Sequence, residues 1–478
     1  MIHSYKYCKN KIKDIGKVIE VKGTLVAIEG LKSGAVGEGV VFEDGKRGMI
    51  VIIEKSKTLV TLLSRESIGF GTKAARTGEA LKISVGWASL GHTVSSLGYL
   101  KDKEKQPSHD IETRAIEVKA LGIDKRSKIN KFLETGVSMV DLLMPLGEGQ
   151  RELIIGDRKT GKSHFALQTM MHQARKGKIC VYAMIGKQKS EIKRVEKFIK
   201  DKKIKNKCLI VASEAESSSG EIYLTPYTAM AIAEHFRDQG KDSLVILDDL
   251  ITHAKYFREI ALLSGQFPGR ESYPGDIFYI HAKLLERAGN FMVDKKEVSI
   301  TALPIAKTLA GDLTGYIQTN LMSVTDGHLY FDSNLFLKGI RPAVNVFVSV
   351  TRVGKQTQNQ LLQGLNREVT KLLKKQDELQ RYLKFGAEMT DKVKEGLSKG
   401  RKMIEFFNQS GYEDYPIQLT AILASLILMD KWDGKDSREW VEKYDNDKDF
   451  KKGMNKLFKN YDDIKKLLKA LGKHEKLS

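Results

Sequence analysis

A run of eight residues has the spacing G-x-x-x-x-G-K-[ST] of a phosphate-binding loop: Gly156-Asp157-Arg158-Lys159-Thr160-Gly161-Lys162-Ser163. In such a loop the glycines let backbone N–H groups surround the phosphates, and the N-terminus of the following helix favours their negative charge. Lys162 would reach the β- and γ-phosphates, and Ser163 would ligate Mg²⁺. The loop follows an apolar run at residues 153–155 and precedes a predicted helix at residues 164–171. This context indicates binding of a nucleoside triphosphate.

Hydrolysis would also require carboxylates at the ends of neighbouring strands. Asp248 ends the apolar run at residues 244–248, and it is the candidate that would hold Mg²⁺ together with Ser163. A water-activating carboxylate is expected after the predicted strand at residues 179–186. That position has Lys187 instead, and a protonated lysine cannot act as a general base. Two interpretations of Lys187 stay open, namely contact with bound phosphates and simple solvation.

The elements that position these residues fall into three predicted domains, at residues 1–88, 89–357 and 358–478. The first is rich in β-strand patterns broken by glycines, with strands predicted at residues 18–26 and 48–53 and a hairpin turn at Asp44-Gly45. The second alternates strands and helices, which is typical of a parallel sheet with helices on both faces. The third is predicted to be helical. Its stripe of Leu362, Leu365, Val369 and Leu372 favours a helix-bundle core over a partner-binding surface.

Several longer motifs resemble the alpha subunit of rotary F-type ATP synthases. One is the loop itself, and the others are Pro268-Gly269-Arg270-Glu271-Ser272-Tyr273-Pro274-Gly275-Asp276, Gly339-Ile340-Arg341-Pro342-Ala343-Val344-Asn345-Val346 and Ser349-Val350-Thr351-Arg352-Val353-Gly354. The likeness runs in order from about residue 15 to about residue 428. It implies a multidomain fold with an N-terminal β-barrel (the crown), a central α/β RecA-like nucleotide-binding domain and a C-terminal helical bundle.

The resemblance also implies a function. In that family three alpha and three beta subunits alternate around a gamma-type central shaft, and the beta subunits hydrolyse ATP with a glutamate where alpha subunits have glutamine. Lys187 occupies that position here. Arg352 matches the arginine finger that an alpha subunit contributes to the adjacent catalytic site, and Ser323 and Val350 match minor contributors. The nucleotide-binding candidates of the chain itself are Gly156, Arg158, Lys159, Thr160, Gly161, Lys162, Ser163, Asp248 and Arg341.

The surroundings of Arg352 agree with that role. Val344, Val346, Val348 and Val350 recur at every second residue, which predicts a strand that ends just before Arg352. Loops at the carboxyl edge of a parallel sheet line ligand crevices. The alternative interpretation is an arginine that pairs with a surface acid.

Composition limits the other classes of function. The net charge of +20 raises the possibility of a nucleic-acid or membrane partner, but the lysines are interspersed with acids, which favours a solvated mixed-charge surface and no nucleic acid. Three widely spaced cysteines indicate a reducing cytoplasm. No apolar stretch reaches the roughly twenty residues of a membrane span, so any membrane association must come through other subunits. The resemblance implies a cytoplasmic protein with a peripheral position at the cytoplasmic side of the membrane.

Departures from the family point to a divergent relative. Residues 91–106 differ from the usual family pattern, and residues 435–478 form a lysine-rich extension without a clear counterpart. ATP-synthase-like ATPases of mycoplasmas are relatives of this kind. The favoured hypothesis is a non-catalytic alpha-like subunit that binds Mg-ATP in a hexameric rotary-type ATPase. The alternative is a self-sufficient homohexameric motor of the RNA-translocase or secretion type, for which Glu191, Glu214 or Glu216 would have to supply the missing base.

Overall fold

The computed structural model describes residues 4–101, 112–384, 391–409 and 411–473. The chain separates into two compact units. The first contains residues 1–127, 174–308 and 312–325, and the second contains residues 128–173, 309–311 and 326–478. Residues 91–106, which differ from the usual family pattern, lie partly outside the described residues.

The N-terminal part of the first unit is a closed six-stranded antiparallel barrel, and the barrel that the family resemblance implies is confirmed. Around the barrel the strands follow in the order Ile15–Lys22, Leu25–Glu29, Thr58–Leu62, Arg47–Ile53, Glu38–Phe42 and Lys73–Ala80. The predicted strand at residues 18–26 is two strands, because Gly23 adopts φ 59° and reverses the chain. The predicted turn at Asp44-Gly45 is confirmed, with the Gly45 amide donating to the Phe42 carbonyl at 2.9 Å. A short helix, Tyr5–Ile12, precedes the barrel.

The rest of the first unit is a parallel sheet with helices. Its strands lie in the order Lys296–Lys307, Ser243–Asp248, Ile179–Lys187, Cys208–Glu214 and Thr93–Val94, and Gly289–Val293 pairs antiparallel with the first of them. The helices are Lys189–Asp201, Ser219–Asp238, Leu250–Leu263, Ile277–Leu285 and Tyr316–Val324. The central strands are buried along almost their whole length, so the core of this unit lies between the sheet and its helices.

The second unit holds the phosphate-binding motif and the C-terminal helices. Strand Glu152–Gly156 pairs parallel with Gly327–Phe331, which pairs antiparallel with Val350–Thr351. Short helices Ser138–Leu143 and Ser333–Leu337 and the longer Lys162–Arg175 belong to this part. The C-terminal helices are Gln360–Lys384, Asp391–Phe407, Ile417–Leu428, Ser437–Asn446, Lys448–Asn460 and Ile464–Lys473. Helix Ile417–Leu428 is almost entirely buried and forms the centre of this helical bundle. The predicted stripe contributes to the same core through Leu362, Leu365 and Val369.

The strand predicted from Val344, Val346, Val348 and Val350 is wrong. Only Val350–Thr351 is a strand, and residues 345–349 turn. Asn345 causes the difference. Its side-chain oxygen accepts from the Phe347 amide at 3.1 Å, and its carbonyl accepts from the Ser349 amide at 2.9 Å. Asparagine side chains stabilise turns in this way, and here the turn outweighs the alternating valines.

No helix among the described residues is long and apolar enough to cross a membrane. The three cysteines, Cys8, Cys180 and Cys208, are buried, and none of them is part of a disulfide bond. Within the described parts of the chain, no group of histidine, cysteine and acidic side chains has the arrangement of a metal centre.

The buried side chain of His172 links helix Lys162–Arg175 to the segment that precedes helix Ile417–Leu428. The Nδ1 atom of His172 lies in a short hydrogen bond with Asp414, and its Nε2 atom lies 3.5 Å from a carboxylate oxygen of Glu134. Burial alone disfavours the imidazolium, but these carboxylates outweigh it and raise the pKa of His172 to about 9. At neutral pH the imidazole of His172 is therefore protonated and charged in the folded state.

Because the pKa of His172 is higher in the folded state than the usual value of about 6.5, its ion pairs stabilise the fold fully below about pH 6.5 and lose that effect as the pH rises through about 9. We expect His172→Gln to lose roughly 2 kcal/mol of unfolding free energy near pH 6 and almost nothing above pH 9. Denaturant unfolding of both proteins across this range measures the difference. Burial raises the pKa of the neighbouring Asp141 to about 7, and since the His172 charge acts against that rise, the variant should shift the titration of Asp141 to higher pH. A difference that is independent of pH would contradict the assignment.

Candidate functional site

The phosphate-binding motif has the local structure that its sequence predicts. Strand Glu152–Gly156 is buried, and helix Lys162–Arg175 begins within the motif, so Lys162 and Ser163 lie in its first turn. Gly156 must be glycine, because a Cβ atom there would lie 2.2 Å from the Phe331 carbonyl oxygen. Gly161 adopts φ 98°, a backbone conformation that glycine accepts without strain. The loop therefore presents backbone amides at a helix N-terminus, an arrangement that binds anions.

Contacts around Asp157 fix the shape of the loop. The carboxylate of Asp157 accepts from the Gly311 amide at 2.9 Å and from the Ser333 hydroxyl at 2.7 Å. The Asp157 carbonyl accepts from the Thr160 hydroxyl at 2.8 Å and also from the Nζ atom of Lys162. Lys162 is 6% exposed, so its ammonium is held within the loop by polar atoms. Sequence reasoning gave Asp157 no role, because Gly311 and Ser333 are distant in the chain.

The remaining predicted residues of this unit differ in how they are placed. Arg158 and Lys159 are exposed on the loop, while Thr160 is buried. Arg341 does not have a free guanidinium. It donates to the carbonyls of Phe336 and Ile340 at 2.7 and 2.9 Å and stacks on the Phe336 ring, with 3.5 Å from its Cζ atom to the ring centroid. Arg341 thus holds the end of helix Ser333–Leu337, whose other end contacts Asp157 through Ser333.

Asp248 lies in the first unit, at the end of strand Ser243–Asp248, as the sequence predicts. Both of its carboxylate oxygens accept hydrogen bonds from the neighbouring strand Ile179–Lys187. Oδ1 accepts from the Nζ atom of Lys187 at 2.6 Å, and Oδ2 accepts from the Tyr182 hydroxyl at 2.9 Å. Lys187 is only 7% exposed, which contradicts simple solvation, one of the two interpretations left open by the sequence. The parallel register of the two strands, which places Met184 opposite Asp248, brings these side chains together.

A second carboxylate and a second ammonium complete this cluster. Asp249 is fully buried, and its Oδ2 atom lies 2.6 Å from the Nζ atom of Lys307 and 3.5 Å from that of Lys187. Burial disfavours the charge on each group, but the opposite charges outweigh it. The carboxylates of Asp248 and Asp249 raise the pKa of Lys187, and the two lysines lower the pKa of Asp249. Lys187 therefore lies between two carboxylates, and Asp249 lies between two ammonium groups.

The carboxylates that could replace a missing base have other contacts. Glu191 caps helix Lys189–Asp201, where its side chain accepts from the Gln188 amide at 3.2 Å. Glu214 accepts from the Nζ atom of Lys101 at 3.1 Å. Glu216 is exposed in the turn that follows strand Cys208–Glu214. The capping role of Glu191 and the ion pair of Glu214 give these two residues structural functions.

Arg352 follows strand Val350–Thr351 in the second unit. Its backbone amide donates to the Asp326 carbonyl at 3.1 Å, which fixes the position of the residue, and its side chain is exposed. Within the described residues its guanidinium makes no hydrogen bond or ion pair, in contrast to the alternative of an arginine paired with a surface acid. Ser323 lies in helix Tyr316–Val324 of the first unit and donates to the Asn320 carbonyl at 2.7 Å.

The surface beside Arg352 is apolar on one side and basic on another. Phe347, Val348 and Val350 are exposed by 48%, 41% and 39%. Val350 also borders a cleft of about 950 Å³, whose basic lining residues are Lys355, Arg367, Lys371, Lys374 and Lys375. Exposed apolar side chains grouped in this way are typical of protein–protein contact sites.

Comparison with known proteins agrees with this architecture. Residues 136–351 match the nucleotide-binding domain of the ATP synthase alpha/beta family. The chain is also 38% identical, over 420 residues, to the ATP synthase subunit alpha of Rickettsia bellii, and the match covers 86% of this chain and 82% of that protein. The matched domain includes the loop, Lys187 and Asp248, and it ends one residue before Arg352.

Proposed function

The chain belongs to the ATP synthase alpha/beta family as a member of alpha type, and from this we propose that it is the non-catalytic nucleotide-binding subunit of a hexameric rotary-type ATPase. In the proposal the loop around Lys162 and Ser163 binds ATP or ADP. A beta-like subunit hydrolyses ATP next to it in an alternating ring, with a gamma-like shaft at the centre. Other subunits hold the assembly at the cytoplasmic side of the membrane.

The observation that carries the non-catalytic part is the position of Lys187. Catalytic members of the family have a glutamate where this chain has Lys187, and the side chain is an ammonium in contact with Asp248 at 2.6 Å. An ammonium has no lone pair to accept a proton from water, so this residue cannot perform general-base catalysis. The nearby acid Glu191 takes part in the N-terminal cap of helix Lys189–Asp201, so it is not available as a simple replacement for the missing general base.

The arginine finger is the second part of the proposal. A finger must extend from its own subunit and reach the transferring phosphate of another. The exposed guanidinium of Arg352, without a partner in the described residues, meets that requirement. The exposed side chains of Phe347, Val348 and Val350 beside it would be covered by the neighbouring subunit. The basic cleft that Val350 borders favours an acidic segment on that neighbour.

Assembly with a beta-like subunit tests the proposal. The purified chain is mixed with its beta-like partner, and the mass of the complex and its ATP hydrolysis are measured together. We expect a hexamer with activity that neither chain shows alone. Formation of an active hexamer by this chain without the partner would contradict the proposal and favour the self-sufficient motor.

A further inference from the structure

Arg352 follows a strand of two residues, Val350–Thr351, which pairs antiparallel with residues 327–328. A ladder of this length supplies at most about two backbone hydrogen bonds. Beyond the ladder, the Arg352 amide donates to the Asp326 carbonyl at 3.1 Å. The residue before it, Thr351, is 8% exposed, so a buried threonine stands directly before the exposed arginine.

The hydroxyl of Thr351 uses its full hydrogen-bonding capacity, which is one donor and two acceptor lone pairs. It donates to the Pro145 carbonyl at 2.9 Å, and it accepts from the Gly354 amide at 3.2 Å and from the Nε2 atom of Gln150 at 3.3 Å. The contact with Gly354 closes a turn that contains Arg352. The other two contacts join this turn to a distant part of the chain within the same compact unit.

The groups that hold the hydroxyl are themselves fixed. Gln150 is 0% exposed, its Oε1 atom accepts from the Gly147 amide at 2.8 Å, and its Nε2 atom also donates to Glu152 at 2.6 Å. Gly354 packs so closely on Pro145 that a Cβ atom at residue 354 would lie 1.6 Å from the Pro145 carbonyl oxygen. Buried hydrogen bonds in a connected network of this kind rigidify the backbone that they join.

We propose that Thr351 is a positioning residue for Arg352, because its hydroxyl fixes the backbone of the turn from which the guanidinium extends. The role rests on the proposed function of Arg352 as an arginine finger. A finger stabilises the transition state only when its guanidinium reaches the transferring phosphate accurately, and a displacement of about 1 Å costs up to about 100-fold in rate. Thr351 acts through Arg352 and has no role in binding the nucleotide of its own subunit.

Thr351→Val replaces the hydroxyl with a methyl group of similar size, and ATP hydrolysis by the complex with the beta-like subunit measures its effect. We expect kcat to fall by about tenfold or more, while KM for ATP changes by less than about twofold, because the finger acts on the transition state. Thr351→Ser keeps the hydroxyl and should hydrolyse ATP within about twofold of the wild-type rate. ATP binding by the isolated chain should be equal in all three proteins.

Thr169→Val is the matched control. It makes the same substitution at another buried threonine of the same unit, whose hydroxyl donates to the Phe165 carbonyl of its own helix at 3.0 Å. The control should hydrolyse ATP like the wild type. It shows whether loss of a buried hydroxyl, wherever it lies in this unit, is enough to slow the complex.

A double variant separates positioning from a general structural role. In the Arg352→Ala background there is no guanidinium to position, so adding Thr351→Val should not lower kcat further. A merely structural threonine would lower the rate by the same factor in both backgrounds. The mass of the complex is measured in each case, so that the rates refer to assembled protein.

Every result either supports the positioning role or overturns it. It is overturned if Thr351→Val retains kcat within about twofold, if Thr351→Ser is as slow as Thr351→Val, or if the double variant shows the product of the two single losses. Should Thr351→Val fail to assemble, Thr351→Ala and Thr351→Ser give the same comparison, since these side chains differ by one hydroxyl group. Failure of the alanine variant to assemble as well would assign Thr351 to folding and overturn the role. If Arg352→Ala alone leaves hydrolysis intact, the proposed finger itself fails.

Discussion

Replacing Arg352 with alanine should lower ATP hydrolysis by the assembled complex about a thousandfold or more, which is the effect typical of an arginine finger. In the proposed function the guanidinium stabilises negative charge on the transferring phosphate, which is bound in the neighbouring beta-like subunit. The side chain is exposed and makes no hydrogen bond or ion pair among the described residues, so the variant should fold normally. Steady-state hydrolysis by the reconstituted complex measures the effect.

Two controls show that the loss comes from the finger. Nucleotide binding by the isolated Arg352→Ala chain should equal that of the wild type, because Arg352 acts on the neighbour's nucleotide. Arg381→Ala removes another exposed arginine of the same unit, one that pairs with Asp377 at 2.7 Å on its own helix, and should leave hydrolysis unchanged. A loss of less than about tenfold in the Arg352 variant would rule out the finger.

Lys162→Ala should weaken binding of ATP and ADP to the isolated chain by about 100-fold or more, since a charge-assisted contact to phosphate contributes about 3 kcal/mol. Lys162 is buried in the loop, where its Nζ atom already bonds the Asp157 carbonyl and lies 3.4 Å from the Thr160 hydroxyl. These contacts hold the ammonium close to the helix N-terminus where the phosphates would bind. Calorimetric titration measures the change.

Lys193→Ala provides the matched control, because Lys193 is an exposed lysine on helix Lys189–Asp201 and its removal makes the same change in charge. It should bind nucleotide like the wild type. Equal affinities for Lys162→Ala and Lys193→Ala would mean that the loop is not the nucleotide site.

The features that the sequence predicted correctly are those set by local patterns. The phosphate loop follows a buried strand and opens a helix because its glycines, apolar run and helix formers are adjacent in the chain. Asp248 ends its strand for the same reason. The β-strands of the N-terminal domain and the helices of the C-terminal domain also follow from local periodicity, whereas the closure of the strands into a barrel was implied by the family resemblance.

The features that the sequence could not give depend on residues far apart in the chain or on competing local signals. Lys187 and Asp248 meet because two parallel strands lie side by side, and no single-sequence pattern states that pairing. Asp157 contacts Ser333, and His172 contacts Asp414, across similarly long stretches of sequence. At Asn345 the error had a local cause, because alternating valines predicted a strand where an asparagine turn prevailed. Asn345 itself is the signal that could have corrected the prediction, because an asparagine side chain can accept a hydrogen bond from the backbone amide two residues later and so favours a turn.

The measurement that tests the central claim most directly is ATP turnover by the purified chain alone, with Mg²⁺ present and nucleotide binding checked in the same sample. We predict that the chain binds nucleotide and produces no phosphate above background, because the position of the catalytic base is occupied by the Lys187 ammonium. Steady hydrolysis by the chain alone that is lost in Lys162→Ala would contradict a non-catalytic subunit and identify a self-sufficient motor.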